Sequence, residues 1–229
     1  MADENGNILF VEAHPDDIVH GMGGTAWKLK NDYDLHLVCL TRGQRGIKGK
    51  TPDEAAAIRT KEEKAACELL GAEVTFMDQM DGELFAGREL CERVAEIVRR
   101  LEPLAVFTLW PINVPDHTAA CEVATKALHL ADAFFTTELY MIENGPGGQT
   151  NQYEPDIYVN IADVLEQKKA LIRCHRSQNP DEGHVERVLE RNRFRGLLAR
   201  CDWAEPFKTY WPLAGTRWGR KSTCILWDL

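Results

Sequence analysis

Short apolar runs alternate with amphipathic segments over the first 131 residues of the chain. The apolar runs have the length of strands, and they predict strands at residues 8–13, 35–41, 73–77 and 104–110. The amphipathic segments predict helices at residues 23–30, 51–71, 88–102 and 116–131. The second of these is the clearest, because it begins with a capping threonine and a proline and ends at a glycine. Strands that alternate with helices predict an α/β fold with a mostly parallel sheet.

The pattern is less regular after residue 131. It predicts strands at residues 136–143, 156–161, 204–211 and 222–227, of which the last two are expected to close the sheet. It predicts helices at residues 164–178 and 184–201, and a loop rich in glycine and polar residues at 143–155. Because no internal repeat or linker divides the sequence, we expect a single domain over residues 1–229.

Composition and charge argue against several classes of protein. The 229 residues carry a net charge of -9 with a pI near 5.3, which argues against a nucleic-acid-binding protein. No apolar run approaches the roughly 20 residues of a membrane span, so we expect no stable membrane insertion. The polar start MADENG is unlike a secretory signal, and the seven cysteines never form a CxxC pair. We therefore expect reduced thiols in a cytoplasmic protein.

Polar side chains follow three of the predicted strands. The first strand is followed by HPDD at residues 14–17, the second by TRGQRG at residues 41–46, and a later one by Asp116 and His117. In open α/β sheets, ligands bind beyond the carboxyl ends of the strands. We therefore expect these side chains to converge at one edge of the sheet.

The two adjacent aspartates of HPDD repel each other, and a divalent cation would relieve that repulsion. His14, Asp17 and His117 form the two-histidine, one-carboxylate set of a catalytic zinc, which leaves an open position for water. Asp16 is then free to accept the proton of that water as general base. Two alternatives stay open on spacing alone. Either aspartate caps the following helix, or His117 is a helix residue with no ligand role.

The segments AHPDD and PDHTAA resemble the motifs of the PIG-L / LmbE-like family of zinc-dependent N-deacetylases, which act on N-acetylglucosaminyl groups. The segments TRGQRG, RTKEEKAACELLG and KKALIRCHRSQ are similar too, so the resemblance covers residues 7–178. It implies a Rossmann-like three-layer fold whose C-terminal part completes the sheet and the pocket wall. The implied reaction removes an N-acetyl group from an N-acetylglucosamine-type sugar conjugate, giving acetate and a free amine.

The resemblance also implies roles for individual residues. It implies His14, Asp17 and His117 as zinc ligands and Asp16 as general base. The implied cofactor is Zn²⁺, with Fe²⁺ as an alternative, and the implied partner is a small amino-sugar substrate. Because relatives are often oligomers, a homo-oligomer is a further expectation.

Three more residues correspond to positions near the site in relatives. Arg59 corresponds to a substrate-contacting arginine, and its alternative is an exposed residue paired with Glu62 or Glu63. His175 corresponds to the histidine of a His-x-Ser-Gln segment, and it is either a substrate-side residue or an ordinary core histidine. Asp116 either orients its neighbours at the site or caps its helix.

Two positions depart from the family pattern. Val114 stands where relatives often carry a histidine that stabilises the oxyanion, and losing such a donor costs about 10²- to 10³-fold in rate. The role then falls to His175, Arg42 or Arg45, or to the metal alone. Gln44 replaces a glutamate of the family, and the loop around it is basic. We expect this loop, with Arg42, to receive an anionic group of the substrate, and the alternative is a solvated loop.

Two functions of other classes stay open. One is a zinc hydrolase acting on a different acyl amide or ester. The other is a weakly catalytic metal-binding relative, which Val114 favours and Asp16 disfavours. A dinucleotide site is not expected, because GMGGT lacks the GxGxxG order. Aromatic residues near the C-terminus are expected either to shape a sugar-binding wall or to be ordinary core and rim residues: Trp203, Tyr210, Trp211 and Trp218.

Overall fold

The computed structural model describes residues 6–112, 114–145, 147–210, 224–226 and 229. Its strands are β1 (Gly6–Glu12), β2 (Tyr33–Thr41), β3 (Glu73–Gln79), β4 (Ala105–Leu109), β5 (Glu138–Ile142), β6 (Ile157–Asn160) and β7 (Ala204–Thr209). They form one sheet in the order β3-β2-β1-β4-β5-β7-β6. The pairs among β1 to β5 are parallel, and β7 runs antiparallel to both β5 and β6. The predicted mostly parallel sheet is confirmed.

Helices lie on both sides of this sheet. They are α1 (Asp17–Leu29), α2 (Pro52–Leu70), α3 (Arg88–Leu101), α4 (Pro115–Leu130), α5 (Gly147–Gln152), α6 (Leu165–Cys174) and α7 (Gly183–Ala199), with a 3₁₀ turn at Ala162–Val164. α3 packs against α4, and α1 packs against α6. Within the described residues, no helix combines the length and hydropathy needed to cross a bilayer.

The predicted boundaries of α2 are confirmed by its caps. The Oγ1 atom of Thr51 accepts the N–H of Glu54 at 3.3 Å, and the Glu54 carboxylate accepts the N–H of Thr51 at 2.9 Å. This reciprocal pair is a capping box. Gly71 ends the helix with a φ of 67°, a left-handed conformation that glycine adopts without a steric penalty.

The prediction for α1 was too short. The helix begins at Asp17 and is kinked at Met22, so the predicted segment 23–30 is the part after the kink. The glycines around the kink have low helix propensity, and the first turns therefore gave no helical signal in the sequence. The glycines allow close packing instead. A Cβ atom added to Gly24 would lie 2.8 Å from the Cγ2 atom of Ile161, so only glycine fits against this side chain.

Three other predictions differ from the structure. The predicted loop at residues 143–155 contains the short helix α5. α4 begins at Pro115, and Val114, not Asp116, occupies its N-cap without a side-chain capping bond. Residues 224–226 form a turn and not a strand, while the rest of the predicted strand at 222–227 lies outside the described residues.

The strand order sets the position of the site. The chain moves outward from β1 to β2 and β3 on one side, and to β4 and β5 on the other. Side chains of β1 and β4, such as Ile8, Phe10 and Phe107, are almost fully buried. The crevice where the strand order reverses is the usual ligand site of such sheets. It lies between the carboxyl ends of β1 and β4.

The cysteines agree with the prediction of reduced thiols. All seven are free, and five of them are buried.

Candidate metal centre

Two buried glutamates hold the loop that joins β1 to α1. Asp16 in this loop has a φ of 104°, a conformation that few residues with side chains adopt. Its N–H donates to Glu63 Oε2 at 2.9 Å, and the N–H of Ile18 donates to Glu12 Oε2 at 3.0 Å. Burial raises the pKa of Glu63 to about 8 and raises that of Glu12 well above its usual range. The loop is therefore fixed on either side of Asp17.

His14, Asp17 and His117 meet where β1 ends and α4 begins. Their candidate ligand atoms all lie within 4.8 Å of one another. Asp17 Oδ1 is 3.2 Å from His117 Nε2, and Asp17 Oδ2 is 3.5 Å from His14 Nδ1. The structure thus brings together the three residues that the sequence proposed as ligands.

Neighbouring groups orient these side chains. The amide of Asn144 donates to Asp17 Oδ1 at 2.6 Å, and the N–H of His14 donates to Asp17 Oδ2 at 2.8 Å. Asp116 Oδ2 lies 3.1 Å from His14 Nε2 and accepts the N–H of Gly82 at 2.7 Å. A carboxylate on the far nitrogen of a ligating histidine is typical of metal sites. Asp116 therefore has the position that its predicted orienting role requires.

A second combination, His14 with Asp81 and Asp116, also has its oxygen and nitrogen atoms within 4.8 Å. Both aspartates are already engaged by the main chain, because Arg45 donates its N–H to Asp81 at 2.9 Å and Gly82 donates to Asp116. The set containing His117 offers two imidazoles and one carboxylate, which is the better match to a catalytic zinc site.

The charges of the site favour a cation. Burial acts against the charge of His14, but the hydrogen bonds that its ring donates to Asp116, Asp17 and Asp81 raise its pKa to about 12. Burial also opposes the charge of Asp17, yet His117 and His14 hold its pKa well below the usual range. Burial, together with Asp17, raises the pKa of Asp16 to about 7 against the opposing charge of Arg59.

The residues fit a divalent transition metal. The Asp16 side chain makes no capping bond to α1 although Asp16 is its N-cap residue, so helix capping does not explain this carboxylate. In the part of the chain that the structure describes, His117 Nδ1 is buried without a hydrogen-bond partner. The donor set and its orienting groups leave a site for one cation beside Asp16.

Arg59 lies beside Asp16 in the interior of the site. It is 4% exposed, its Nη2 atom is 3.2 Å from Asp16 Oδ2, and it donates to the carbonyl of Pro15. The loop after β2 packs so closely on its guanidinium that a Cβ atom at Gly43 or Gly46 would overlap it. The alternative of an exposed arginine paired with a glutamate on its own helix does not describe this residue.

The structure does not bring Arg42 to the site. Its guanidinium pairs with Asp78, donates to Thr60 Oγ1 at 3.0 Å and lies over the Phe76 ring. The neighbouring Arg45 is the basic residue of this loop that lines the cavity. Side chains of an irregular loop follow no regular period, so the sequence does not indicate which of Arg42 and Arg45 faces the cavity.

His175 lies behind the site and does not line the cavity. It is fully buried at the end of α6, with its Nε2 atom 3.7 Å from Glu63 Oε2. Burial lowers its pKa to about 3, which keeps the ring neutral. Val114 does line the cavity. Of the residues expected to replace its missing donor, Arg45 alone is among the described residues that line the cavity.

A cavity of about 840 Å³ opens from the metal-ligand residues toward α7. Its volume lies within the range usual for small-molecule sites. α7 forms one wall of the cavity with these residues: His184, Arg187, Val188, Glu190, Arg191 and Phe194. The His184 ring stacks on that of His20, with 4.1 Å between ring centroids.

Sequence reasoning missed several of these groups. Glu12 left a signal, because it is a carboxylate inside an apolar run. Glu63 left one too, since it lies one helical turn after Arg59 and so shares its helix face. Asn144 and the cavity side of α7 left none, because a helical pattern does not tell which pocket a helix borders.

The expected aromatic wall is only partly described. Trp203 and Tyr210 are half-buried and do not line the cavity. Trp211 and Trp218 lie outside the described residues.

Comparison with known proteins gives the family. The family described as GlcNAc-PI de-N-acetylase (PIG-L) matches residues 9–128. The chain is 31% identical over 192 residues to the 4-oxalmesaconate hydratase of Pseudomonas putida, covering 75% of this chain and 74% of that protein. It is 30% identical over 191 residues to the diacetylchitobiose deacetylase of Thermococcus kodakarensis, covering 76% of this chain and 71% of that protein.

A solved structure agrees with these matches. The N,N'-diacetylchitobiose deacetylase of Pyrococcus horikoshii superposes with a TM-score of 0.79 at 28% identity. The superposition covers 89% of this chain and 83% of that one. The structural similarity to this deacetylase therefore extends well beyond residues 9–128, which match the family.

Proposed function

The chain belongs to the PIG-L family of de-N-acetylases, and from this premise we propose that it is a zinc-dependent hydrolase of N-acetylated amino sugars. The reaction breaks the amide C–N bond of an N-acetylglucosamine-type conjugate, adds water across it, and gives acetate and a free amine. The observation that carries the proposal is the meeting of His14, Asp17 and His117 beside the separate carboxylate of Asp16.

His14, Asp17 and His117 would hold the metal. A zinc ion bound there would polarise the acyl carbonyl and lower the pKa of water from about 15.7 toward about 7. Asn144 and Asp116 keep the carboxylate of Asp17 and the ring of His14 in fixed orientations. Fixed ligands lower the reorganisation needed during the reaction.

Asp16 is the proposed general base. Its carboxylate lines the cavity, and it is not needed to complete the two-histidine, one-carboxylate set. It accepts a proton from the attacking water and returns that proton to the leaving amine nitrogen. Arg59, 3.2 Å away, restrains the carboxylate and balances its charge in the buried site.

The oxyanion needs a donor other than residue 114, because valine cannot donate. Several side chains that line the cavity with Val114 carry N–H groups, among them those of Arg45, His20 and His184. We propose Arg45 for this role, since its main chain is fixed to Asp81 beside His14.

Metal content and acetate release on the purified full chain test the proposal together. We expect a bound divalent metal, and metal-dependent acetate release from N-acetylglucosamine, its phosphates or its glycosides. Chelation should abolish the release and zinc or iron(II) should restore it. Stoichiometric metal without acetate from any of these sugars would contradict the deacetylase.

A second candidate is addition of water to a carbon–carbon double bond. Val114 favours it, because valine replaces the histidine expected to stabilise the oxyanion of amide hydrolysis, and a 31% identical relative is named a hydratase. The same metal and base would activate water in either reaction. Loss of the absorbance of an unsaturated dicarboxylate, with no acetate from sugars, would support hydration over deacetylation.

A further inference from the structure

The α7 wall carries positive charge that the proposed chemistry does not use. Arg187 and Arg191 lie one helical turn apart, so they share a face of α7, and both line the cavity. The metal-ligand residues line the same cavity. We call their wall the metal-ligand end of the cavity and the wall formed by α7 the α7 end.

Arg191 is a half-buried guanidinium held by the main chain alone. It donates to the carbonyl of Gly145 at 2.9 Å and to the carbonyl of His20 at 3.2 Å. Across the described residues it forms no ion pair with a carboxylate. Burial lowers its pKa, although the charges of nearby buried glutamates oppose that shift.

Arg187 is exposed to solvent and lines the cavity. Within residues 6–112, 114–145 and 147–210 it has neither a hydrogen-bond partner nor an ion-pair partner. Other arginines near the cavity do have carboxylate partners: Arg45 pairs with Glu83, Arg59 with Asp16, and Arg195 with Glu143. Among the described residues of the wall, the α7 pair is thus the one whose guanidinium groups form no ion pair with a carboxylate.

Two buried glutamates act on Arg191 through their charge, but Glu143 is already paired with Arg195 and Glu205 with Lys168. Asp16, Asp17 and Asp81 line the cavity at the metal-ligand end. Glu190 lies on α7 itself, but it is exposed and makes no ion pair with either arginine among the described residues. Its charge is screened by solvent.

We propose that Arg187 and Arg191 form an anion subsite, and that the substrate carries a carboxylate or a phosphate on the part remote from its N-acyl group. This inference rests on the proposed function, since the anionic group is placed relative to the acyl group at the metal. A guanidinium fork matches the oxygens of either anion. The volume of about 840 Å³ leaves room for a second group beside a sugar ring.

A matched set of glycosides tests the subsite. The N-acetylglucosaminides of glycolamide, glycolate and 2-hydroxyethyl phosphate differ mainly in charge, and kcat/KM for acetate release is measured with each on the zinc-loaded full chain. Charge-assisted hydrogen bonds predict that the better anion exceeds the neutral amide by about 10- to 100-fold. The anionic glycoside with the higher kcat/KM shows whether the subsite takes a carboxylate or a phosphate.

Substitutions on α7 test whether Arg187 and Arg191 cause the preference for the anionic glycoside. In Arg187→Gln and in Arg191→Lys, the ratio of anionic to neutral kcat/KM should fall toward one. The control Arg193→Gln removes the same charge from the same helix at a position that does not line the cavity, and it should keep the wild-type ratio. A wild-type ratio near one, or a ratio that survives in both cavity variants, would overturn the proposal.

A binding measurement distinguishes failure of the proposed function from failure of the anion subsite. If none of the glycosides releases acetate, calorimetric binding of the same set to the zinc-loaded protein decides the question. Tighter binding of an anionic member that is lost in Arg187→Gln supports the subsite although the acyl chemistry is different. Equal binding of charged and neutral members overturns it.

Discussion

The two ends of the cavity are built in different ways. At the metal-ligand end, side chains from the ends of β1, β4 and β5 contact one another, as in the contacts of Asp17 with His117 and Asn144. At the α7 end, Arg191 is held by main-chain carbonyls and Arg187 by no described partner. One end is fixed by the register of a sheet, and the other by the placement of a single helix.

From this difference we expect the metal-ligand end to set the rate of the reaction and the α7 end to set the choice of substrate. Moving a ligand at the first end requires moving a strand of the core, because β1 pairs with both β2 and β4. α7 can change its cavity-facing side chains without altering the sheet. We therefore expect large effects on turnover from the first end, and effects on substrate choice from the second.

The largest effect is expected for His117→Ala. It removes one of three candidate ligands, so both bound metal and acetate release should fall below detection. Metal analysis and an acetate assay on the same sample measure this. His129→Ala, at the end of the same helix, is the control and should keep both. Full metal occupancy in His117→Ala would remove this residue from the ligand set.

Asp16→Asn should sharpen the comparison within the first end. Asparagine keeps the shape and tolerates the left-handed conformation, but it cannot accept the proton. We expect turnover to fall by about 10²- to 10⁴-fold while metal content is kept. The exposed Asp34→Asn on β2 serves as control. An Asp16→Asn enzyme with full turnover would falsify the assignment of the base.

The anchor of the second end should show itself in stability. Arg195 on α7 forms a buried ion pair with Glu143, with its Nε atom 2.8 Å from Oε2. Arg195→Met leaves a buried carboxylate unpaired, and we expect the free energy of unfolding to fall by about 3–5 kcal/mol. Urea denaturation measures it, with the exposed Arg193→Met as control.

Adding Glu143→Leu to Arg195→Met extends this test. Replacing both partners with apolar residues is often close to neutral, so the double variant should recover much of the loss. If the double variant is no more stable than Arg195→Met, the ion pair is not what anchors α7.

A smaller effect is expected for Asp116→Asn. The change keeps an oxygen for the N–H of Gly82 but removes the charge beside His14. Loss of such an orienting group typically costs about 10- to 100-fold in metal affinity or activity. Competition with a chelator measures the affinity, and the exposed Asp53→Asn is the control. Unchanged affinity would show that Asp116 does not orient the ligand.

The first end could be predicted from the sequence because strands leave a local pattern. Each polar group follows directly after an apolar run, and parallel strands end at one edge. His14, Asp17 and His117 could therefore be grouped before their distances were known. The resemblance to the deacetylase family added the expected roles, and the family assignment is confirmed.

The second end could not be predicted in the same way. The sequence indicates that residues 184–201 form a helix, but it does not indicate where that helix crosses the sheet edge. For the same reason Arg42 was expected at the site and Arg45 lines the cavity instead. The glutamates that hold the HPDD loop left weak signals in the sequence. Their role was missed because their hydrogen bonds join residues distant in sequence, such as Asp16 and Glu63.

The positive φ of Asp16 has an evolutionary consequence. Asparagine and glycine are the residues that best tolerate such a backbone, and in the standard genetic code each is a single base change from aspartate. Neither can act as a base. A descendant of this gene can therefore lose the proposed base in one mutational step while its loop and fold persist, and such a folded copy would be free to acquire a role in binding alone.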